Sequence, residues 1–263
     1  MDTIQKRITA FVKLGDFLSQ FSRDGIQQKE AIEHNELFFD SFKHQLKIAE
    51  ENNSWFTKEN ILFALENWSN ALTADHLKKW ISETKKAQEE KTVAIVMAGN
   101  IPLVGFHDFL AVLVSGHAVL VKQSSNDKHL LPFLAKYLEY VESSFKKKIA
   151  FTESKLTDFD AVIATGSNNT SRYFEHYFKD KPHIIRKNRN SVAIITGNET
   201  EQDFENLSED VFRYFGLGCR SVSKLYVPKG YQFDSFFKGM YCKQDYINNT
   251  KYINNYDYNK AVY

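Results

Sequence analysis

The sequence predicts an α/β fold: a parallel sheet with helices on both faces, entered through a helical leader. Three observations predict it. Short apolar runs at 93–97, 118–121 and 161–164 are separated by helix-length segments. Strand and helix alternating at this spacing build a parallel sheet with helical crossovers. The runs are apolar at successive positions, as in strands buried on both faces. Three of the expected strand ends also carry small or polar residues: Gly99-Asn100, Lys122-Gln123-Ser124-Ser125 and Thr165-Gly166-Ser167. Ligands of such sheets bind at the carboxyl ends of the strands, so the pattern suggests a nucleotide site.

Residues 1–90 read as helices. Ile4, Ile8, Phe11 and Val12 share one helical face, as do Ile61, Leu62 and Leu65, and Thr57 and Thr73 stand at N-cap positions. This leader is assigned packing and no catalytic role. The first strand, 93–97, is closed by Ala98-Gly99-Asn100, and a helix follows over 103–114. After the strand at 118–121, a helix opened by Ser125, Asn126 or Asp127 carries Leu130, Leu131, Leu134 and Leu138. Strands are expected at 149–151 and 161–164, then a helix to about Phe178. Ile184-Ile185 and 192–195 read as further strands, followed by a helix before Tyr214. A last strand at 224–228 and a helix at 233–241 precede an Asn/Tyr-rich end, 246–258, whose aromatics argue against disorder. From about Gly230 onward the chain is expected to pack loosely or to be shielded by an oligomer contact.

Composition excludes several classes. Lys plus Arg is 34 and Asp plus Glu is 33, a net charge of +1, without the basic footprint of a nucleic-acid binder. There are 2 Cys, no Cys/His metal spacing and no His-Glu-x-x-His, so neither a metal site nor a disulfide scaffold is expected. That cysteine usage points to a reduced, cytoplasmic compartment. Residues 1–19 contain no apolar signal core. The apolar stretch 93–121 is broken by Asn100, Pro102, His107, Asp108 and His117, so no membrane span is expected. Neither a Gly-x-Gly-x-x-Gly nor a Gly-x-Ser-x-Gly motif occurs.

Four places could carry chemistry. Cys219 lies in Gly216-Leu-Gly-Cys-Arg, where glycines keep bulk away and Arg220 favours a thiolate. A buried structural cysteine is the competing reading, and the one kept for Cys242. Asn100, on a strand-end turn, can donate to an oxyanion or simply stabilise the turn. Gly166 and Ser167 open a helix N-terminus, an anion site or an ordinary cap. Lys122 ends a strand, where its charge can reach a ribose or phosphate or stay solvated.

Taken in order, Ala98-Gly-Asn-Ile-Pro, Val121-Lys-Gln-Ser-Ser, Ala164-Thr-Gly-Ser and Gly216-Leu-Gly-Cys resemble the aldehyde dehydrogenase superfamily. With the leader element Trp55-Phe-Thr-Lys-Glu-Asn-Ile, they look like its acyl-CoA reductase branch, the type that includes the fatty-acyl reductase of bacterial bioluminescence. The resemblance implies a helical leader at 1–90, a Rossmann-type cofactor domain at 91–214 and, from 215 to 263, the start of a catalytic domain. Superfamily members continue much further beyond the nucleophile, so the catalytic domain is expected to be incomplete. Cys219 would be the nucleophile that forms a thioester. Asn100 would hold the oxyanion with the Cys219 amide. Lys122 would hold the adenosine ribose, with Ser124 and Ser125 beside it. Gly166 and Ser167 would meet the pyrophosphate.

Two departures refine the expectation. Hydrolytic relatives carry a general-base Glu where this chain reads Arg186-Lys-Asn-Arg-Asn-Ser. A reductase running from thioester to aldehyde needs no such base. Relatives also often carry Glu at the position of Ser125; a carboxylate there repels a 2′-phosphate, so its absence favours NADPH over NADH. The expected function is reduction of an acyl-CoA, or of an acyl group on a carrier or acyl-transferase protein, to an aldehyde. A homo-oligomer is compatible with this reading. A CoA-independent aldehyde dehydrogenase and a non-catalytic module of the same fold are the alternatives.

Overall fold

The computed structural model describes residues 3–83 and 89–262. Its internal contacts divide the chain into two units, Met1–Lys187 and Asn188–Tyr263.

The first unit opens with α1 (Thr3–Leu18), a short hairpin of β1 (Phe21–Ser22) and β2 (Gly25–Ile26), then α2 (Asn35–Asn52), α3 (Lys58–Ala71) and α4 (Ala74–Ser82). Thr57 and Thr73 cap α3 and α4, accepting from the Asn60 and His76 amides. The sheet follows: β3 (Thr92–Val96), α5 (Phe106–Ser115), β4 (Ala118–Lys122), α6 (Leu130–Val141), β5 (Ile149–Phe151), β6 (Ala161–Thr165), α7 (Asn168–Tyr177) and β7 (His183–Arg186). All four pairings are parallel, in the order β5-β4-β3-β6-β7. The chain winds outward one way from β3 and the other way from β6. The ends of these two strands therefore flank a topological switch point.

Alternation along the strands divides the core. Ile95, Val119 and Val121 face a large cluster with α1, α5, α6 and the leader helices. Ala94, Val162 and Ala164 face the other way, against Phe174 and Phe178 at the end of α7. The leader is thus half of the core. Phe11, Leu14, Phe17 and Leu18 are fully enclosed, and Phe17 stacks on Tyr137 of α6 at 4.7 Å. Arg7 reaches across to α5, its Nε donating to the Val114 carbonyl at 3.1 Å. There α5 ends in a Schellman motif: the Gly116 and His117 amides return to Leu113 and Val112, with Gly116 at φ 100°.

The second unit contains β8 (Ser191–Ile194), α8 (Glu201–Phe212), β9 (Val222–Tyr226), α9 (Asp234–Met240) and α10 (Thr250–Val262). Thr200 and Asp203 form a capping box at the start of α8. α8 and α9 pack closely enough that a Cβ on Gly239 would lie 2.3 Å from that of Phe204. The Asn/Tyr-rich end is ordered as α10 and a 3-10 stretch before it, Tyr241–Asn248. Phe237, Tyr241, Ile247, Tyr256 and Tyr258 are nonetheless exposed.

Three expectations are corrected. The run near 192–195 is a strand, but β8 pairs with β9 rather than β7. The internal contacts divide the chain after Lys187, inside the stretch 91–214 expected as one cofactor domain. The helix expected from 103 begins at Phe106, because Leu103 takes a left-handed φ of 56°. The polar residues expected to open α6 instead form a turn. The Asp127 amide donates to the Ser124 carbonyl at 3.2 Å, and the helix starts at Leu130.

Candidate functional site

The parallel register brings three of the sequence-predicted positions to one edge of the sheet. Asn100 follows β3, Lys122 ends β4 and Gly166 follows β6, and β3 lies between the other two. The loops after β3 and β4 touch. A Cβ on Gly99 would meet Ser124 Oγ at 2.5 Å, so only glycine allows this approach. Ser124 Oγ itself accepts from the Asn126 amide at 3.2 Å and faces that contact. Asp127 links the same two loops: its Oδ2 accepts from the Leu103 amide at 3.0 Å. Asp127 Oδ1 is buried without a hydrogen-bond partner among the described residues, and burial pushes this carboxyl up to about 6.

Beside Lys122 lies a cavity of about 400 Å³, lined by Lys122, Gln123, Ser125, Lys128, Phe151 and Glu153. The Lys122 ammonium donates to the Ser154 carbonyl at 3.1 Å, leaving it further donors. Lys128 pairs with Glu153 at 2.7 Å. The set, at the carboxyl ends of β4 and β5, combines cations, a hydroxyl, an aromatic ring and one carboxylate, and could hold a nucleotide's ribose and phosphates.

At the end of β6, Ser167 caps α7, its Oγ accepting from the Thr170 amide at 3.2 Å. A Cβ on Gly166 would lie 3.0 Å from Phe174, so glycine keeps the turn tight. The Gly166 amide is engaged by the Arg186 carbonyl at 3.1 Å. An anion here would meet the Asn168 and Asn169 amides, which lack partners within the helix.

Arg186, at the end of β7, is paired with Asp108 of α5. Asp108 is buried on an otherwise apolar helix face. Burial pushes its carboxyl up, but hydrogen bonds from His107 and Arg186 and the Arg186 charge outweigh that and hold it below its ordinary value. Sequence reasoning missed Asp108 and Asp127. The available signal was a carboxylate inside an apolar helix for one, and a polar cluster ahead of a helix for the other.

In the second unit, Cys219 is exposed just before β9. Tyr214, Phe215 and Gly216 are successively left-handed, at φ 57°, 58° and 71°. Phe215 is held against Tyr246 and Tyr252 at ring distances of 4.9 and 5.5 Å. Cys242 lies 3.0 Å from Ser208 Oγ. No group of His, Cys, Asp or Glu among the described residues could hold a metal ion. No helix among them is long and apolar enough to cross a membrane.

A family model, acyl-CoA reductase (LuxC), matches residues 15–237. The chain belongs to the acyl-CoA reductase (LuxC) family. No curated protein matches it. Its fold is similar to that of the aldehyde dehydrogenase from Bacillus cereus solved with NAD+, at 17% identity and TM-score 0.63 over 91% of this chain and 50% of that one. It is similar also to a NAD-dependent benzaldehyde dehydrogenase from Corynebacterium glutamicum, at 12% identity and TM-score 0.65, covering 90% and 53%. Aldehyde dehydrogenase KauB from Pseudomonas aeruginosa matches at 13% identity and TM-score 0.64, covering 92% and 50%. At these identities the likeness is one of fold: this acyl-CoA reductase family member has the fold of the aldehyde dehydrogenases. It spans about half the length of those structures.

Proposed function

We propose that the whole protein reduces an acyl-CoA, or a fatty acyl group carried as a thioester on a partner protein, to the aldehyde with NADPH. The observation that carries this reading is the stretch 186–191, which begins at the end of β7. The resemblance puts the general-base Glu of hydrolytic relatives in the stretch Arg186-Lys-Asn-Arg-Asn-Ser, which here carries no carboxylate. With no carboxylate in that stretch, the acyl-enzyme has no such base to activate water. That favours reduction over the CoA-independent oxidation of aldehydes.

In this reading the Cys219 thiolate attacks the thioester carbonyl and the CoA thiolate leaves, taking up a proton. Asn100 and the Cys219 amide hold the negative oxygen of the tetrahedral intermediate. NADPH, when bound, supplies the hydride that reduces the acyl carbonyl. Collapse of the resulting thiohemiacetal oxyanion frees the aldehyde and regenerates the Cys219 thiolate. Lys122 and Ser125 hold the adenosine ribose with Ser124 supporting their turn, and Gly166 and Ser167 shape the pyrophosphate turn.

Mass spectrometry of the whole protein mixed with a long-chain acyl-CoA tests the assignment. Wild type and Cys242→Ala should gain one acyl group, and Cys219→Ala should gain none while keeping NADPH affinity within about twofold, since no cofactor contact is assigned to the thiol. Acyl transfer persisting on Cys219→Ala overturns the nucleophile. Absence of any acyl transfer in wild type, with cofactor still bound, favours the non-catalytic module.

A further inference from the structure

The cavity at the end of β4 contains a feature that the ribose reading does not use. Lys128 and Glu153 both line it, joined at 2.7 Å. They come from separate segments, the turn before α6 and the loop after β5. Their side chains are 43% and 83% exposed. We propose that this ion pair sets the choice at the ribose 2′ position, Lys128 passing from Glu153 to a 2′-phosphate when one is present. The inference rests on the nicotinamide-cofactor reading of the site.

The physical argument is one of exchange. An exposed ion pair contributes little, so Glu153 is readily displaced into the solvent it already faces. A phosphate dianion offers Lys128 more charge and three acceptor oxygens. Lys122 adds a second cation on the same cavity, and its carbonyl partner carries no net charge to compete with the phosphate. Ser125 leaves room where a longer acidic side chain would intrude. Phe151, at the carboxyl end of β5, is partly exposed and presents a ring on which a purine can stack. Glu153 works against the phosphate. Its carboxyl is held below the ordinary range, chiefly by the hydrogen bond from Lys128, and so stays ionised at neutral pH. Lys128 and Glu153 thus oppose each other: removing the cation should weaken 2′-phosphate binding, and removing the anion should strengthen it.

Calorimetric titration of the chain with adenosine 2′,5′-bisphosphate and with 5′-AMP tests this without any turnover. Wild type should bind the bisphosphate roughly tenfold more tightly, as expected for one added charge-assisted contact. Lys128→Gln should reduce that ratio to about twofold with 5′-AMP affinity little changed, and Glu153→Gln should raise bisphosphate affinity about threefold. Both side chains are exposed, so the variants should fold as wild type does. A bisphosphate preference that survives Lys128→Gln, or weakens in Glu153→Gln, overturns the ion-pair proposal while leaving the nucleotide reading standing. Failure of wild type to bind either nucleotide overturns both.

Discussion

Asp127 shows how a single carboxyl can couple the site to pH. Its Oδ2 holds the Leu103 amide, and burial raises it to about 6. Unfolding returns it to an ordinary carboxyl near 3.8. The charged form is thus disfavoured in the fold, and the penalty grows as pH rises from about 4 to about 6 and is complete above that. Asp127→Asn removes it. The stability of the variant relative to wild type should therefore increase by roughly 2 kcal/mol between about pH 4 and pH 7. Denaturant titrations giving parallel pH profiles for the two proteins would contradict a raised carboxyl. Asp108 behaves oppositely. Its lowered value stabilises the fold above the ordinary carboxyl range, a contribution lost as pH falls through the still lower folded value. Asp108→Asn leaves Arg186 short of a counter-charge, and with Arg186 partly exposed should cost about 2 kcal/mol at neutral pH. Thermal melts of Asp108→Asn that coincide with wild type at neutral pH and diverge only in acid would refute this.

At the scale of elements, the leader and the sheet stabilise each other. Phe17 is enclosed by Phe21, Phe42 and Tyr137, and truncating it to alanine should cost about 3–5 kcal/mol. A loss below 1 kcal/mol in equilibrium unfolding would mean that the leader is only loosely attached. Gly116→Ala acts locally. It forces a side chain into φ 100° and onto the Arg7 guanidinium, about 3.1 Å away, and should cost about 1–2 kcal/mol. Most elements were legible because an apolar run between polar turns names a strand, and a helical stripe names a helix. Their partners were not. The run at 192–195 looks like the runs of the sheet, and only its pairing with β9 shows that it belongs elsewhere. The candidate positions were legible in the same measure. Lys122, Ser125 and Gly166 were marked by the strand ends that carry them. The pairing of Lys128 with Glu153, or of Asp108 with Arg186, joins residues far apart in sequence, which spacing does not report.

Over the whole molecule, protection is unevenly distributed. The central strands β3, β4 and β6 carry Ala94, Val121 and Ala164 with no exposure, whereas the 3-10 stretch Tyr241–Asn248 and α10 bury no residue. Amide hydrogen exchange should therefore be slowest in β3, β4 and β6 and fastest in α10, the two differing by several orders of magnitude. Comparable exchange in both would show that the C-terminal helix is sheltered in solution. The division after Lys187 has a further consequence, for synthesis on the ribosome. The first unit is continuous in sequence, so every residue of it has been made once Lys187 has been added. The sheet and its helical leader can thus begin to fold without β8 or β9, and the carboxyl ends of its strands are laid out before the second unit has folded.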